Sequence, residues 1–258
     1  MRINVPRSAL ARRGCLIIYI AFVLGWLAAC QEVPPSQPPV ATSWPAPLTL
    51  PGDLLRASPA SNAEITTGGY LIDNADGAAL VDGLTFEADG SPRPLATDVA
   101  PIWLGDSAAS LRGVLRVAGS VRYGAVLARG RLEGPGKFGP AGKYRYQLAS
   151  ARLAPLAVVE TTIGELLDRP ASYAGRLVRI VGGLLVRDQS ALLVDRLGAG
   201  GLPAPKARQI KLRTPLRDQP LLDRLKGAPG GAVRFGQVQI EGFMRGSALA
   251  PIAITLVS

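Results

Sequence analysis

The chain contains no histidine, and its only two cysteines are Cys15 and Cys30. Without histidine, Ser-His-Asp and Cys-His catalysis, histidine zinc sites and histidine general bases are all excluded. Because both cysteines lie in the first 30 residues, the rest of the chain has neither a disulfide nor a cysteine metal site. Aromatic residues make up only 5% of the chain, which leaves few rings for stacking on a ligand. We therefore expect no catalytic residues, no metal site, no cofactor and no enzymatic activity.

Residues 1–29 have the three-part composition of a secretory signal. A basic stretch from Arg2 to Arg13 contains no acid, and an almost unbroken apolar run from Cys15 to Trp26 follows it. That run is short for a membrane span, which needs about 20 apolar residues. An ordinary signal peptide, or an uncleaved anchor with an incidental cysteine, are the alternative interpretations.

The end of this segment, Leu27-Ala28-Ala29-Cys30, resembles the lipobox of bacterial lipoproteins. The resemblance implies that Cys30 receives a lipid such as palmitate, that the signal is cleaved before it, and that everything after it is extracytoplasmic. Each acyl CH₂ buried in the membrane would contribute about 0.8 kcal/mol to anchoring. The next residue is Gln31 rather than aspartate, which in the Gram-negative members favours the outer membrane or cell surface over the inner membrane.

The lipidated cysteine is followed by a proline-rich segment over residues 30–48, of which Gln31 to Pro47 reads QEVPPSQPPVATSWPAP. Proline blocks both helix and ladder hydrogen bonds, so an extended polyproline-II-like tether is predicted. Such a tether would hold the folded part away from the lipid surface.

The net charge of +10 overstates how basic the folded part is. Without the four arginines of the signal, 25 basic residues remain against 19 acidic ones. Residues 157–258 carry 14 basic and 8 acidic residues, whereas residues 50–156 carry 11 and 10. An anionic partner would therefore be expected at the C-terminal half.

The remainder of the chain contains an internal duplication. The segment VRYGAV at residues 121–126 matches VRFGQV at residues 233–238, an offset of 112. Four shorter matches keep the same order at similar offsets: GDLL with GELL, GGYL with GGLL, LVD with LVD, and IWL with IKL. We predict two homologous domains, residues 49–156 and residues 157–258, each of a common domain size.

Each repeat has the pattern of short strands with one helix. In the second repeat the predicted elements are a helical turn at residues 162–168, strands at 177–186, 191–197 and 209–213, a helix at 216–226, and strands at 238–244 and 251–257. Ile210 and Leu212 alternate with Lys211 and Arg213, which predicts one buried and one exposed face. Tyr123 and Phe235, at equivalent positions before a glycine, are predicted to lie in the barrel cores.

This order of elements resembles the OB-fold, a five-stranded Greek-key barrel with a helix between strands three and four. The stretch TTIGELLDRPASYAGRLVRIVGGLL at residues 161–185 is similar to the opening of bacterial OB-like domains, with glycines that permit sharp coiling. The resemblance implies an all-β protein with two tandem small OB-like β-barrels, each with a short helix. An SH3-like barrel or a small β-sandwich is the alternative. The first repeat departs from the second in a longer segment, GPGKFGPAGKYRYQL, between its last two strands.

OB-folds bind single strands through a basic groove with stacking aromatics, and two clusters of this chain have that composition. The candidate groove residues are Lys206, Arg208, Lys211, Arg213, Lys143, Tyr144, Arg145 and Tyr146. As an alternative, the two tyrosines face the core and the basic residues only solubilise the surface.

These features predict a lipid-anchored cell-envelope protein with a non-enzymatic binding or scaffolding role. Its partners would be the membrane, through the lipid on Cys30, and another envelope protein. The alternative is an extracytoplasmic binder of single-stranded nucleic acid or another anionic polymer, which would use the basic OB groove.

Overall fold

The computed structural model describes residues 48–95, 99–213 and 215–257, which are mostly β and belong to one compact unit. The predicted signal peptide, the lipidation site Cys30 and the tether up to residue 47 lie outside the described residues. Within the described residues, no helix is long and apolar enough to cross a bilayer.

The first half consists of one short helix and eight strands. They are α1 (Pro51–Arg56), β1 (Glu64–Asn74), β2 (Gly77–Val81), β3 (Leu84–Phe86), β4 (Pro92–Pro94), β5 (Ile102–Gly105), β6 (Arg116–Ala118), β7 (Val121–Glu133) and β8 (Tyr146–Pro155). A 3₁₀ turn, Asp106–Leu111, lies between β5 and β6.

The second half repeats this order with two short helices. Its elements are β9 (Val158–Glu160), α2 (Ile163–Asp168), β10 (Leu177–Arg187), β11 (Ser190–Val194), β12 (Gln209–Leu212), α3 (Gln219–Asp223), β13 (Lys226–Gly227), β14 (Arg234–Arg245) and β15 (Ala248–Leu256). The predicted helical turn is confirmed as α2, whose N-cap Thr162 forms a capping box with Glu165. The helix predicted over residues 216–226 is shorter than expected, since only α3 is helical.

Five strands of the first half close into a barrel, called here the first barrel. The hydrogen-bonded order is β1-β2-β5-β8-β7, and β7 pairs back with β1 to close it. All neighbours are antiparallel except β5 and β8. Strand β6 is attached to the outer edge of β7.

The second half forms a ring-like sheet, called here the second ring. Its path β10-β11-β12-β15-β14 returns to β10, and β12 and β15 are its parallel pair. The strand order and the parallel pair match those of the first barrel, and the barrel is consistent with an OB-like domain. The second ring is not a clean barrel, because β3, β4, β9 and β13 are attached to it.

The β3–β4 hairpin connects the two halves. It lies in the chain between two strands of the first barrel, yet β3 pairs with the last strand through Leu84↔Ala253 and Thr85↔Ile254. The predicted boundary at residues 156 and 157 therefore does not separate the two sheets, although a division into two domains stays a prediction.

Glycine is required at one position in each of β1 and β10, where the neighbouring strand approaches closely. A Cβ atom added at Gly69 would lie 2.5 Å from the carbonyl oxygen of Val81, and one at Gly182 would lie 2.7 Å from that of Val194. The two glycines occupy equivalent positions of the two halves. The close approach to the neighbouring strand therefore explains one glycine of each Gly-Gly pair.

Three apolar clusters stabilise the structure. One fills the first barrel, a second fills the second ring, and a third lies between them and includes Leu48, Tyr70, Leu177 and Phe243. Ile210 and Leu212 are buried in the second ring, which confirms the predicted alternation in β12. We call the region of this third cluster, between the first barrel and the second ring, the seam.

A buried ionic network crosses the seam around Glu241 of β14, whose side chain is only 2% exposed. Its carboxylate accepts hydrogen bonds from the Tyr70 hydroxyl of β1 and from Arg116 Nη2 of β6 at 3.0 Å. Arg179 of β10 adds two bonds, at 2.9 Å from Nε and 2.7 Å from Nη2. Burial opposes ionisation, but Tyr70, Arg179 and Arg116 together outweigh it, so the pKa of Glu241 lies below its ordinary value.

Candidate functional site

The candidate groove residues of the first half do not form an open groove. Tyr144 is buried and stacks on Trp103 of β5, with ring centroids 4.9 Å apart. Tyr146 packs against the core of the first barrel. The ammonium group of Lys143 lies 2.6 Å from a carboxylate oxygen of Asp76 in the β1–β2 turn, and Arg145 is exposed. The loop before β8 therefore folds back over its own barrel.

The four candidate residues of the second half divide into two groups. Arg208 makes a two-pronged pair with Asp168 of α2, at 2.6 and 2.7 Å, and these hydrogen bonds lower the pKa of Asp168. Arg208 is thus engaged within the fold, while Lys206 is exposed in the preceding loop. Lys211 and Arg213 are both exposed, on and directly after β12.

Lys211 belongs to a row of side chains on the outer face of the second ring. Phe235 of β14 is opposite Leu185 of β10, Leu185 is opposite Leu192 of β11, and Leu192 is opposite Lys211. Residues directly opposite each other share a face of the sheet. The row is therefore apolar along three strands and ends in a lysine. Phe235 lies on this outer face, so its prediction as a barrel-core residue was wrong.

The next row, at the β10–β11 turn, is basic. Arg187 is opposite Ser190, and the β11–β12 register continued by two residues places Arg213 beside Ser190. Arg187 is 72% exposed and lies 3.6 Å from the exposed Asp188. Arg217 donates from Nε to the side-chain oxygen of Gln189 at 2.9 Å, which adds a further cation to this end.

A cavity of about 340 Å³ opens at the apolar row. Its walls include Leu185 and Leu192 of the row, Leu202 and Pro203 of the loop before β12, and Val233 before β14, with Arg187 also lining it. Leu202 is 61% exposed although it is apolar. The volume lies within the range of small-ligand pockets, which are apolar clefts with a few placed polar groups. We call the cavity, Lys211 and the basic row together the binding face.

The first barrel has the same outer row, but there it is covered. Tyr123, Ile72, Ala79 and Trp103 are opposite one another in the same pattern as the row of the second ring. Tyr123 makes an edge contact with Phe86 at 5.4 Å and packs in the seam. Tyr123 was also predicted to lie in a barrel core, and this was wrong because its alternation places it outside the barrel. Tyr144 covers Trp103 at the end of this row, whereas the equivalent Lys211 of the second ring is exposed.

Positive charge also accumulates at the β14–β15 turn. The Nε and Nη2 atoms of Arg245 are buried, and no described residue accepts a hydrogen bond from them. Burial lowers the pKa of Arg245, the charge of Arg213 lowers it further, and Asp53 opposes both effects. Because a guanidinium group remains charged, an anion would be stabilised at this end of the second ring.

Among the described residues no group of three or more metal-ligating side chains is present. The most strongly perturbed groups, Tyr70 and Glu241, lie buried in the seam, where burial and the neighbouring Glu241 raise the pKa of Tyr70. They hydrogen-bond to each other and to arginines, so they serve the packing of the seam.

Comparisons with known proteins return no relative. No protein family, curated protein or solved structure matches the chain. Any proposal about function therefore rests on the binding face.

Sequence reasoning identified Lys211 and Arg213 but missed Arg187, Leu185, Leu192 and Arg217. The internal repeat contained part of the signal, because aligning IWL with IKL pairs Lys211 with Trp103. Only the strand register pairs Arg187 with Asn74. These exchanges turn an apolar, neutral face into a basic one. The cavity gave no such signal, since it depends on how the loop at residues 201–203 folds over β10.

Proposed function

We propose that this chain is a non-enzymatic, extracytoplasmic binding protein, held at a membrane by a lipid on Cys30, whose second ring binds a partner protein. In this proposal both halves are OB-like domains, and the first barrel supports the second ring through the seam. The observation that carries the proposal is one end of the outer row: Tyr144 covers Trp103 in the first barrel, whereas the equivalent Lys211 of the second ring is exposed next to Leu192 of the cavity wall. Such asymmetry between two copies of one unit is the expected result when only one copy keeps a binding role.

Two further features support the binding face. In OB-folds, ligands bind on strands two and three and on the loops that follow strands one and four. The corresponding elements of the second ring are β11, β12, the turn at residues 188–189 and the turn at residues 246–247. Lys211 and Arg213 lie among these elements, and the cavity adjoins β11.

A lipid anchor on Cys30 has a direct test. Cells that produce the chain and are fed labelled palmitate should incorporate the label, because the Leu-Ala-Ala-Cys sequence matches a lipobox. A Cys30→Ser variant should lose all label, whereas the matched Cys15→Ser variant should keep it. Equal labelling of the two variants would contradict the proposal.

Partner binding can be tested by placing a photo-reactive amino acid at Lys211 in the full chain. In intact cells, illumination should give a covalent adduct with a discrete protein, because Lys211 lies at the centre of the binding face. The control position is Arg152 of β8, which is exposed on the first barrel. An adduct that forms equally from both positions, or from neither, would argue against the second ring as the binding module.

The second candidate function is binding of an anionic polymer such as single-stranded nucleic acid. The exposed Lys211 and Arg213, together with the charge of Arg245, favour it. This function would require affinity that falls steeply with salt, and it is one outcome of the binding experiment described next.

A further inference from the structure

The first barrel shows what the shared outer row receives when it is covered. Tyr144 stacks on Trp103, and Gly139 of the same loop packs closely against both rings, since an added Cβ would lie 2.6 Å from Tyr144 and 3.1 Å from Trp103. The neighbouring cation Lys143 pairs with Asp76 of the β1–β2 turn. The Trp103 end of the row is therefore covered by a loop that offers one aromatic side chain, next to a cation that pairs with the β1–β2 turn.

The second ring lacks this loop. Its equivalent strands β14 and β15 are joined by only two residues, Gly246 and Ser247. Residues 201–203 lie at the other end of the row, against Phe235, and leave the 340 Å³ cavity beside Leu185 and Leu192. Among the described residues, no loop between β14 and β15 covers Lys211 in the way that the loop before β8 covers Trp103.

The cations of the second ring have neutral counterparts in the first barrel. Through the strand register, Arg187 replaces Asn74 and Lys211 replaces Trp103. Aligning IWL with IKL places Arg213 at the position of Gly105. In the first barrel, Lys143 of the covering loop pairs with Asp76 of the β1–β2 turn. In the second ring, the cations belong to the row itself and to its neighbouring turn. Arg187, Lys211 and Arg213 outnumber the neighbouring Asp188, which also lines the cavity, so a segment that binds along this row is expected to be acidic.

We infer that the binding face takes an acidic peptide segment of a partner protein, with an aromatic or large apolar side chain in the cavity and carboxylates toward Arg187, Lys211 and Arg213. The inference rests on the proposed binding function and adds the chemistry of the partner. A peptide fits better than nucleic acid, because among the described residues no aromatic side chain lines the cavity and bases bind largely by stacking on aromatic rings.

The test uses the full chain in detergent and fluorescence anisotropy of a labelled short peptide with one tyrosine among aspartates and glutamates. Two control peptides replace the tyrosine by glycine or the acids by their amides. We expect each control peptide to bind about tenfold more weakly or worse. Leu192→Glu, which puts a carboxylate in the cavity wall, and Lys211→Glu should weaken binding of the parent peptide by a similar factor. Arg152→Glu should leave it unchanged, and unaltered unfolding transitions will show that each variant is folded.

Three results would overturn the inference. The first is no binding of the parent peptide up to a concentration of about 1 mM. The second is equal binding of the glycine control, which would leave only charge attraction. The third is displacement of the peptide by a random single-stranded oligonucleotide that binds more tightly, with a steep salt slope and no sensitivity to Leu192→Glu. If the peptide fails while the adduct at Lys211 forms, the proposed function stands and only the partner chemistry is wrong.

Discussion

Replacing Glu241 by alanine is expected to lower the free energy of unfolding by about 3–5 kcal/mol, because removing one partner of a buried ionic network leaves the other charges uncompensated. The carboxylate is 2% exposed and joins Tyr70 and Arg116 of the first barrel to Arg179 of the second ring. Its loss would leave two arginines facing each other across the seam. Urea denaturation, with the linear extrapolation of stability, measures the effect.

Glu160 provides the matched control for this variant. It pairs with the same Arg179, at 2.5 Å from Nη1, but its side chain is 68% exposed. Exposed pairs contribute about 0–1 kcal/mol, so Glu160→Ala should change stability little. If both variants lose the same stability, the seam does not depend on the Glu241 network.

The network also predicts how stability depends on pH. The pKa of Glu241 is below its ordinary value of 4.5, so the folded state favours the ionised form. The stabilisation it contributes is present above about pH 4.5 and is lost as the pH falls through the folded-state pKa. A Glu241→Gln variant should therefore show a shallower decline in stability over that acidic range than the unchanged chain.

Asp218→Ala is expected to have the second large effect, a loss of about 3–5 kcal/mol. Asp218 is fully buried and pairs with Arg93 of β4 through two contacts, one of them 2.8 Å from Nη1 to Oδ2. It also caps α3 by accepting a hydrogen bond from the Leu221 amide at 2.9 Å. The variant would therefore weaken both the start of α3 and the attachment of the β3–β4 hairpin, and calorimetric or urea unfolding would measure the sum.

Two further variants separate these contributions. Arg93→Ala removes the ion pair but keeps the cap, which by itself contributes about 1 kcal/mol. Asp223 belongs to the same helix, its side chain is 57% exposed, and it lies 3.3 Å from Arg234. Asp223→Ala should lower the free energy of unfolding by less than about 1 kcal/mol. An Asp218→Ala variant as stable as Asp223→Ala would refute the role assigned to the buried pair.

The strands of each half could be predicted from sequence because their signals are local. The alternation at Ile210 and Leu212, and the capping sequence at Thr162, depend only on neighbouring residues. Because the two halves match in sequence, the strands assigned in the second half also predicted those of the first half. The exchange of β3 and β4 into the second ring could not be predicted, because Leu84 pairs with Ala253, and no local pattern specifies a partner so distant in the chain.

The candidate site was predictable only in part, for a similar reason. Composition pointed to basic residues around β12, and Lys211 and Arg213 do lie on the exposed face. The interleaved Lys143–Tyr146 segment has the same composition but folds onto its own barrel, because Tyr144 stacks on Trp103 and Lys143 pairs with Asp76. Whether a basic aromatic segment is free or internally occupied depends on these tertiary contacts.

The pairing of β3 with β15 has a consequence for the order in which the chain becomes structured. Synthesis proceeds from the N-terminus, so β3 emerges well before its partner β15. Closing a connection of this length carries a large entropic cost and slows folding relative to local pairing. The first barrel has all its own strands once β8 has been synthesised. The β3–β4 hairpin, however, has no strand to pair with until β15 has been synthesised. The pairing of β3 with β15 can therefore form only after the chain has been synthesised through Ile254.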